Sequence, residues 1–186
     1  MALKKIALID IDGCLSGYPN KVFLDLAKDC YGENVNTKTE ILEKFGLSAY
    51  KLLKNRLRTE GYKLRYEFDD TALNTIDYLR EKSFDIWIYT SRPNIGNNHS
   101  DTRNWLQRNN VVFDVLYFTG TKGESYLESD EETFVLIVDD DDTAFLPYLN
   151  KSNVFAIKFG GESRFSTVRN AKSWMEVKSI VENLND

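Results

Sequence analysis

The sequence has few of the residues that mark disulfide-rich, zinc-binding or membrane proteins. It contains only two cysteines, Cys14 and Cys30, in 186 residues, too few for a disulfide framework or a four-cysteine zinc site. No stretch approaches the roughly 20 apolar residues that a membrane-spanning helix needs. Near the start, Ile6 to Ile9 is the only apolar run, and it is too short for a secretory signal. We therefore expect a cytoplasmic protein without a membrane partner.

Basic residues are outnumbered by acidic ones. The chain has 24 Lys and Arg against 29 Asp and Glu, a net charge of −5, which argues against a general nucleic-acid or anionic-membrane binder. The charge is also uneven: nine acids and no Lys or Arg lie between Gly123 and Asn150. Between Lys51 and Arg65, by contrast, six basic residues accompany one acid. The sequence therefore contains an acidic segment and a basic segment.

Five short runs rich in β-branched and aromatic residues predict strands. They are Lys5 to Ile9, Asp85 to Tyr89, Phe113 to Phe118, Phe134 to Val138 and Val154 to Phe159. Because the runs are mostly apolar rather than alternating, they are typical of strands buried on both faces of a parallel sheet. Helical patterns lie between them: one follows the possible caps Asp69 and Asp70, one follows Ser100, and one runs from Trp174 to Leu184. This alternation predicts an α/β fold, a doubly wound, Rossmann-like parallel sheet of about five strands.

Residues 17–68 interrupt the alternation with three predicted helices. The first runs from Asn20 to Tyr31, the second begins near Thr37 and stops at Gly46, and the third follows Ser48. We predict a small helical cap at 17–68, inserted after the first strand of a core domain formed by 1–16 and 69–186.

Two acids and a glycine follow the first strand, in the sequence DIDG. Side chains at positions i and i+2 of an extended chain point the same way, so Asp10 and Asp12 can face one site. Two like charges so close call for a cation or a proton. The alternative interpretation is a polar strand exit with Gly13 as a turn residue.

Hydrogen-bond donors follow the second and third predicted strands. Thr90, Ser91 and Arg92 end the second, in WIYTSRP, and a hydroxyl followed by a guanidinium suits phosphate oxygens. Lys122, which would begin the next helix, is the only basic residue beside the acidic segment in the sequence. Taken alone, the first pattern is also typical of an ordinary strand exit and the second of a surface lysine.

The fourth predicted strand leads into four consecutive aspartates, Asp139 to Asp142. One or two could cap a helix, but four adjoining carboxylates repel one another strongly unless a cation is bound. Hard oxygen ligands without a neighbouring histidine favour Mg²⁺ over zinc or copper. Because ligands of open α/β sheets bind at the carboxyl edge of the strands, we expect all four motifs to converge there.

These motifs resemble those of the haloacid dehalogenase (HAD) superfamily. DIDGCL is similar to its first motif, the Thr of IYTSRP to its second, Lys122 to its third and VDDDD to its fourth, and the resemblance covers nearly the whole chain. The first motif usually has Thr or Val where this chain has Cys14.

The resemblance implies a phosphatase with an aspartyl-phosphate intermediate. Asp10 would be the nucleophile and Asp12 the general acid and base, while Thr90 and Lys122 would hold phosphoryl oxygens. Gly13, Ser91 and Arg92 are the candidate substrate-binding residues.

The same resemblance implies the ligands of the Mg²⁺ cofactor. They would be the Asp10 carboxylate, the main-chain carbonyl of Asp12 and Asp139, with Asp140 as a neighbouring ligand or orienting group. An acid at position 12 separates phosphatases from the members that remove halide, because an alkoxide leaving group needs a proton.

The TSRP sequence and the small cap look like those of the 5′(3′)-deoxyribonucleotidases and related nucleotidases. The expected partner is a small phosphorylated metabolite, a nucleotide in the first instance; a sugar phosphate or a phosphorylated nucleic-acid end is the alternative. The aromatic residues Tyr50, Tyr62, Tyr66 and Phe68 accompany the basic segment and could hold a base, or could be core residues beside a solvated helix.

Two other classes compete with a phosphatase. One is a phospho-acceptor of the response-regulator type, which lacks an insertion like 17–68, and the other is an inactive binding module. His99 is interpreted as a surface residue. Cys14 is unlike a cysteine-phosphatase nucleophile, because Asn20 stands where that signature has Arg.

Overall fold

The fold is built on one parallel sheet of six strands, in a computed structural model that describes residues 3–18, 20–120 and 132–184. The strands are β1 (Lys4–Asp10), β2 (Phe84–Thr90), β3 (Val115–Phe118), β4 (Thr133–Asp139), β5 (Val154–Phe159) and β6 (Arg169–Ala171). The α-helices are α1 (Lys21–Tyr31), α2 (Lys38–Thr59), α3 (Thr71–Glu81), α4 (Asn98–Arg108) and α5 (Trp174–Glu182). Two 3-10 helices, Tyr62–Arg65 and Asp142–Tyr148, complete the described elements.

The five predicted strands are confirmed, and the described sheet has one strand more than the sequence predicted. The sheet has a sixth strand, β6, which pairs in parallel with β5 so that Phe159 lies opposite Ala171. Only three residues long, β6 exposes Arg169 and Asn170 and buries only Ala171. A strand this short and polar lacks the apolar run from which the other strands were predicted.

Strand order places the predicted motifs that follow β1, β2 and β4 at one edge of the sheet. The order is β3-β2-β1-β4-β5-β6, so β1 lies between β2 and β4. Asp10 is in register with Tyr89 on one side, and Ile9 is in register with Val138 on the other. Since all pairings are parallel, the carboxyl ends of β1, β2 and β4 meet where the order of connections reverses.

The sheet carries a hydrophobic layer on each face. The larger cluster includes Ala7 and Ile9 of β1 together with buried residues of all five α-helices. The smaller cluster includes Ile6 and Leu8 with Phe145 of the second 3-10 helix. Because side chains alternate along a strand, Asp10 continues the face of the smaller cluster.

Local capping explains where several helices begin and end. The side chain of Asn20 accepts a hydrogen bond from the Val22 amide (3.1 Å), and Gly32 ends α1 in the left-handed region at φ 73°. Thr37 caps α2 by accepting from the Glu40 amide (3.1 Å). Gly46, at φ 80° and ψ 172°, interrupts the helical geometry of α2, where the sequence predicts a helix end.

The helix predicted after Ser100 begins earlier than expected. The structure starts α4 at Asn98, so Ser100 lies inside the first turn and donates its hydroxyl hydrogen to the Asn97 carbonyl (2.9 Å). Of the helices that the structure describes, none combines the length and the apolar character needed to cross a membrane.

The two ends of the inserted segment lie side by side. The Asp69 amide donates to the carbonyl of Leu15 (3.0 Å), so the chain leaves and re-enters the sheet at one place. Buried residues of the segment, such as Phe23 and Leu53, belong to the same hydrophobic cluster as Ile9. The division into a core (1–16 and 69–186) and a cap (17–68) therefore stays a prediction, made for two parts that share hydrophobic packing.

Candidate active site

Asp10 lies at the centre of the carboxyl edge, beside Asp140, which begins the loop after β4 (the β4 loop). It is 1% exposed, and its carboxylate shares a small region with the Asp140 carboxylate and the Cys14 sulfur. One ligand atom from each of these three side chains lies within 4.8 Å of the other two. Two carboxylates this close repel unless a cation or proton lies between them. Among the described residues, this is the group whose side chains could share one metal ion.

Gly13 permits the close approach of Asp140 to the β1 loop. A Cβ atom at Gly13 would overlap the Cγ and Oδ2 atoms of Asp140, and its φ of +113° is strained for any residue with a side chain. The loop is closed by hydrogen bonds from the Gly13 amide to the Ser16 carbonyl (2.7 Å) and from the Ser16 amide to the Ile11 carbonyl (2.9 Å). The predicted substrate-binding residue Gly13 therefore lies against a carboxylate in the structure.

Gly13→Ala is expected to displace Asp140 and weaken the binding of a divalent ion. We expect the half-saturating Mg²⁺ concentration for phosphate release to rise about tenfold or more, as for other residues that support metal ligands. Strain at φ +113° should also lower the free energy of unfolding by about 1–3 kcal/mol. Magnesium titrations and urea unfolding measure the two effects. Gly17→Ala is the matched control, because a Cβ there meets nothing within 4 Å; equal Mg²⁺ dependence of both variants would contradict the prediction.

Asp139 is held by protein groups on both carboxylate oxygens. The Tyr89 hydroxyl on β2 donates to its Oδ2 atom across β1, and the Asp141 amide donates to Oδ1 (2.7 Å). Burial, with the charges of Asp139 and Asp10, raises the pKa of Tyr89 well above its ordinary value, so the phenol keeps its proton. Asp139, 0% exposed, was predicted as a metal ligand; the structure groups Asp140 with Asp10 instead. A role for Asp139 as a ligand stays a prediction.

The next two aspartates hold the β4 loop in place. Asp141 caps the second 3-10 helix by accepting from the Thr143 amide (2.9 Å). Asp142 accepts from the Ser163 hydroxyl (2.6 Å) and the Arg164 amide (3.2 Å). Burial raises the pKa of Asp142, but these hydrogen bonds and the charges of nearby cations together outweigh it and keep the pKa below its usual value. The consecutive aspartates of this loop therefore bind different partners.

Asp12 is paired with two cations from different parts of the chain. Arg92 binds it through two nitrogens, Nε to Oδ2 (2.8 Å) and Nη2 to Oδ1 (2.7 Å). Lys63, from the inserted segment, places Nζ 3.2 Å from Oδ1 and 3.3 Å from Oδ2. The Arg92 and Lys63 side chains are 3% and 5% exposed, so Asp12 is the carboxylate that matches their buried charges.

These pairings shift the pKa values of Asp12 and Lys63. Burial raises the pKa of Asp12, but the charges of Arg92 and then Lys63 outweigh it and hold the pKa well below its usual range. Burial and the nearby Arg92 lower the pKa of Lys63 to about 7, against the opposing pull of Asp12. Asp12 is therefore an ionised carboxylate in this arrangement, which is the form of a general base, although so low a pKa makes it a weak one.

The other predicted site residues are placed as follows. Thr90 is 1% exposed, and its hydroxyl accepts from the Arg92 amide (3.2 Å). Ser91 lies on the wall of the cleft above the acids, next to Arg92. Lys122 lies in 121–131, outside the described residues. His99 is half-buried, with its ring 4.4 Å from that of Phe118, rather than fully on the surface.

A cleft of about 660 Å³ opens above the carboxyl edge. Its floor includes Asp10, Asp12 and Asp140, and Ser91 and Arg92 form part of its side. The opposite wall comes from the inserted segment and is mostly basic. The basic residues of that wall are Lys38, Lys54, Arg58 and Lys63. The acidic and basic segments of the sequence therefore contribute to the same cleft.

The four aromatic residues considered for base binding have other contacts. Tyr66 is 8% exposed between Lys63 and Arg92, and Phe68 packs edge-on against Trp105 (5.5 Å between ring centroids). The Tyr62 ring is covered by Arg65, and Tyr50 contacts lysine side chains. Within the described part of the chain, the cleft has one aromatic residue in its lining, Tyr18, which the sequence analysis did not single out.

Two further residues of the site were also missed. Tyr89 binds Asp139, and the Lys158 ammonium donates to the carbonyl of Asp140. A signal existed for Tyr89, because a phenol near the end of an apolar strand needs a partner. Lys158, the residue before the last of β5, is in register with Asp139, a relation that depends on strand pairing rather than on any motif.

Comparison with known proteins finds similarity in structure and none in sequence. No protein-family model and no curated protein matches the chain. A HAD-superfamily hydrolase from Ehrlichia chaffeensis aligns over 100% of both chains, with a TM-score of 0.63 and 15% identity. A HAD family hydrolase from Deinococcus radiodurans R1, solved with bound phosphate and sodium, covers 100% of this chain and 98% of its own, with a TM-score of 0.69 and 11% identity. A family IA, variant 3 HAD hydrolase from Entamoeba histolytica gives a TM-score of 0.60 at 14% identity, covering 98% and 100%.

These likenesses show the fold. The chain has the Rossmann-like α/β fold of HAD hydrolases, with a parallel six-stranded sheet and flanking helices. Its carboxyl edge carries an acidic cluster of the kind that could hold a metal ion.

Proposed function

We propose that the protein is a Mg²⁺-dependent phosphomonoester hydrolase that acts through an aspartyl-phosphate on Asp10. The observation that carries this proposal is the position of Asp10, which ends the central strand beside Asp140 and faces a cleft lined by cations. A phosphoryl group in transfer spreads negative charge over its oxygens, so cations around an in-line carboxylate are what it needs.

The residues beside Asp10 fit a magnesium ion. Asp10 and Asp140 offer two hard oxygen ligands close to each other, and the main-chain carbonyl of Asp12 and the Asp139 carboxylate are the further candidates. Cys14 is a poor ligand for Mg²⁺, because sulfur is soft and its thiol donates to the Val138 carbonyl (3.9 Å). When bound, the ion would neutralise charge on the phosphoryl oxygens.

The proposed reaction has two steps. In the first, an Asp10 oxygen attacks phosphorus, the bond from phosphorus to the alcohol oxygen breaks, and the leaving alkoxide takes a proton from Asp12, which has to enter this step in its acid form, with a proton taken up from solvent. In the second, water attacks the aspartyl-phosphate, Asp12 takes the proton of the water, and inorganic phosphate leaves with Asp10 regenerated. Thr90, Ser91, Arg92 and Lys122 would hold the phosphoryl oxygens. Arg92 and Lys63 keep Asp12 ionised, which is the form that the second step needs.

The substrate belongs to the small phosphorylated metabolites. The TSRP sequence supports a nucleotide, a 5′- or 3′-nucleotidase-like activity, and a cytoplasmic location remains the expectation from the sequence. A sugar phosphate is the competing candidate, because the described lining of the cleft offers a nucleobase only one aromatic ring, that of Tyr18.

A phosphate-release screen with and without Mg²⁺ tests the proposal. We expect release from at least one nucleotide, sugar phosphate or phosphorylated oligonucleotide at millimolar Mg²⁺, and loss of more than about 99% of it after chelation, because the ion offsets charge in the transition state. Adding Mg²⁺ back is the control for damage by the chelator. A stable phosphorylated protein without turnover would support the phospho-acceptor instead, and absence of Mg²⁺ binding at millimolar concentration would support an inactive module.

A further inference from the structure

One helix supplies the basic wall of the cleft opposite the acids. Lys54, Leu57 and Arg58 lie one turn apart on α2 and all line the cleft, and Lys38 joins them from the start of the same helix. Lys54 and Arg58 are half-buried, whereas Lys38 is exposed. Three positive charges therefore face the cleft from one element.

These three cations lack carboxylate partners within the part of the chain that the structure describes. Of the other basic residues of α2, Lys44 pairs with Glu33 (3.0 Å) and Arg56 with Glu60 (2.9 Å), while Lys51 is exposed outside the cleft. Lys63 and Arg92, also in the cleft, are both used by Asp12. Lys38, Lys54 and Arg58 therefore combine two properties: they line the cleft, and no described carboxylate forms a salt bridge with them.

Aromatic rings hold two of these ammonium groups at the wall. Lys54 Nζ lies 5.4 Å from the centroid of Tyr18, 5.8 Å from that of Phe23 and 5.9 Å from that of Tyr50. Lys38 Nζ lies 5.4 Å from the same Tyr50 ring. Cation–π contacts fix the position of an ammonium group without neutralising its charge. Two lysines that share a ring repel each other, and an anion between them would relieve that repulsion.

The transferred phosphoryl group does not need this wall. Its proposed contacts are with Asp10 at the floor and with Ser91 and Arg92 at the adjoining side, and a cleft of about 660 Å³ has room for more than one phosphate. A phosphate carries about 1.5 to 2 negative charges at neutral pH, which matches several cations better than a carboxylate does.

We propose that Lys38, Lys54 and Arg58 bind a second phosphate group of the substrate, so that the preferred substrates are small bisphosphates. The inference rests on the proposed function, because it assumes that the other phosphate is the one placed at Asp10. Either a nucleoside bisphosphate or a sugar bisphosphate has this chemistry.

Matched pairs of ligands test the inference by binding and by turnover. The pairs are adenosine 3′,5′-bisphosphate with adenosine 5′-monophosphate, and fructose 1,6-bisphosphate with fructose 6-phosphate. Calorimetric titration of Asp10→Asn, which cannot turn these compounds over, gives affinities, and phosphate release by the wild type gives kcat/KM. We expect at least one bisphosphate to bind tenfold or more tightly than its monophosphate partner and to have the higher kcat/KM.

Charge-removing variants then locate the subsite. Lys54→Met and Arg58→Met, each made in Asp10→Asn, are expected to lower the bisphosphate preference about tenfold. Lys51→Met is the control, because Lys51 is an exposed residue of the same helix outside the cleft. The same preference in all three variants, or equal affinity for both members of each pair, would overturn the inference. Hydrolysis of both members of each pair with equal kcat/KM would support the phosphatase proposal and overturn the preference for bisphosphates. Bisphosphate binding that depends on Lys54, without any hydrolysis, would support the subsite and overturn the phosphatase.

Discussion

Asp10→Asn is expected to lower phosphate release by at least about 10³-fold, because an amide does not attack phosphorus as a carboxylate does. Asp10 is 1% exposed and is the last residue of β1, where its main chain is fixed by pairing with β2. Asp140 cannot substitute for it without moving, because it lies against Gly13 in the loop that follows. Steady-state phosphate release from the best substrate, at saturating Mg²⁺, measures the effect.

The fold of this variant should survive the substitution. Replacing a buried carboxylate beside Asp140 by a neutral amide removes repulsion between like charges, so the free energy of unfolding should stay equal or rise. Asp25→Asn, which changes the same functional group at an exposed position of α1, controls for the general effect of losing one negative charge. Wild-type turnover by Asp10→Asn would rule out the aspartyl-phosphate mechanism.

The sheet was predictable because its strands are apolar on both faces. The runs around Ile6 and Ile86 had no other plausible environment than the interior of a parallel sheet. β6 was not predictable in this way: it pairs through three residues, and its stability depends on β5 and on Ala171 packing in the core. Secondary structure that owes its existence to a neighbouring strand leaves little trace in local sequence.

The convergence of the site was predictable, but the task of each aspartate was not. Parallel pairing brings the ends of β1 and β4 together whatever the side chains are. Within Asp139 to Asp142, however, several contacts are made with residues distant in sequence, such as Tyr89 on β2 and Ser163 beyond β5. Four identical residues in a row carry no local information about which one turns toward Asp10.

The partners of Asp12 show the same limit. Arg92 was predicted to bind substrate, and the structure pairs it with a carboxylate 80 residues earlier in the chain. Lys63 reaches that carboxylate only because the inserted segment folds over the carboxyl edge. The sequence separates an acidic segment from a basic segment, and the fold brings residues of both segments to one cleft.

Asp12→Asn is expected to release about one equivalent of p-nitrophenolate from p-nitrophenyl phosphate in a burst, and then to turn over about 10²–10⁴-fold more slowly than the wild type. The nitrophenolate ion leaves without a proton, so Asp10 can still be phosphorylated. The second step needs a base for water, and Arg92 and Lys63 keep Asp12 in the ionised form that this task requires. Stopped-flow absorbance measures the burst, and an alkyl phosphate, whose leaving group needs a proton, should give none.

A loss of stability in Asp12→Asn must be separated from a loss of chemistry. Without the carboxylate, the buried charges of Arg92 and Lys63 share no counter-ion, which costs about 3–5 kcal/mol when such a pair is broken completely and less when an amide oxygen still accepts a hydrogen bond. Adding Lys63→Met removes one of the two cations, so the double variant should recover part of the free energy of unfolding and keep its burst. A burst of one equivalent in either variant reports an intact site at Asp10. Wild-type turnover of alkyl phosphates by Asp12→Asn would instead show that the proton moves through another group.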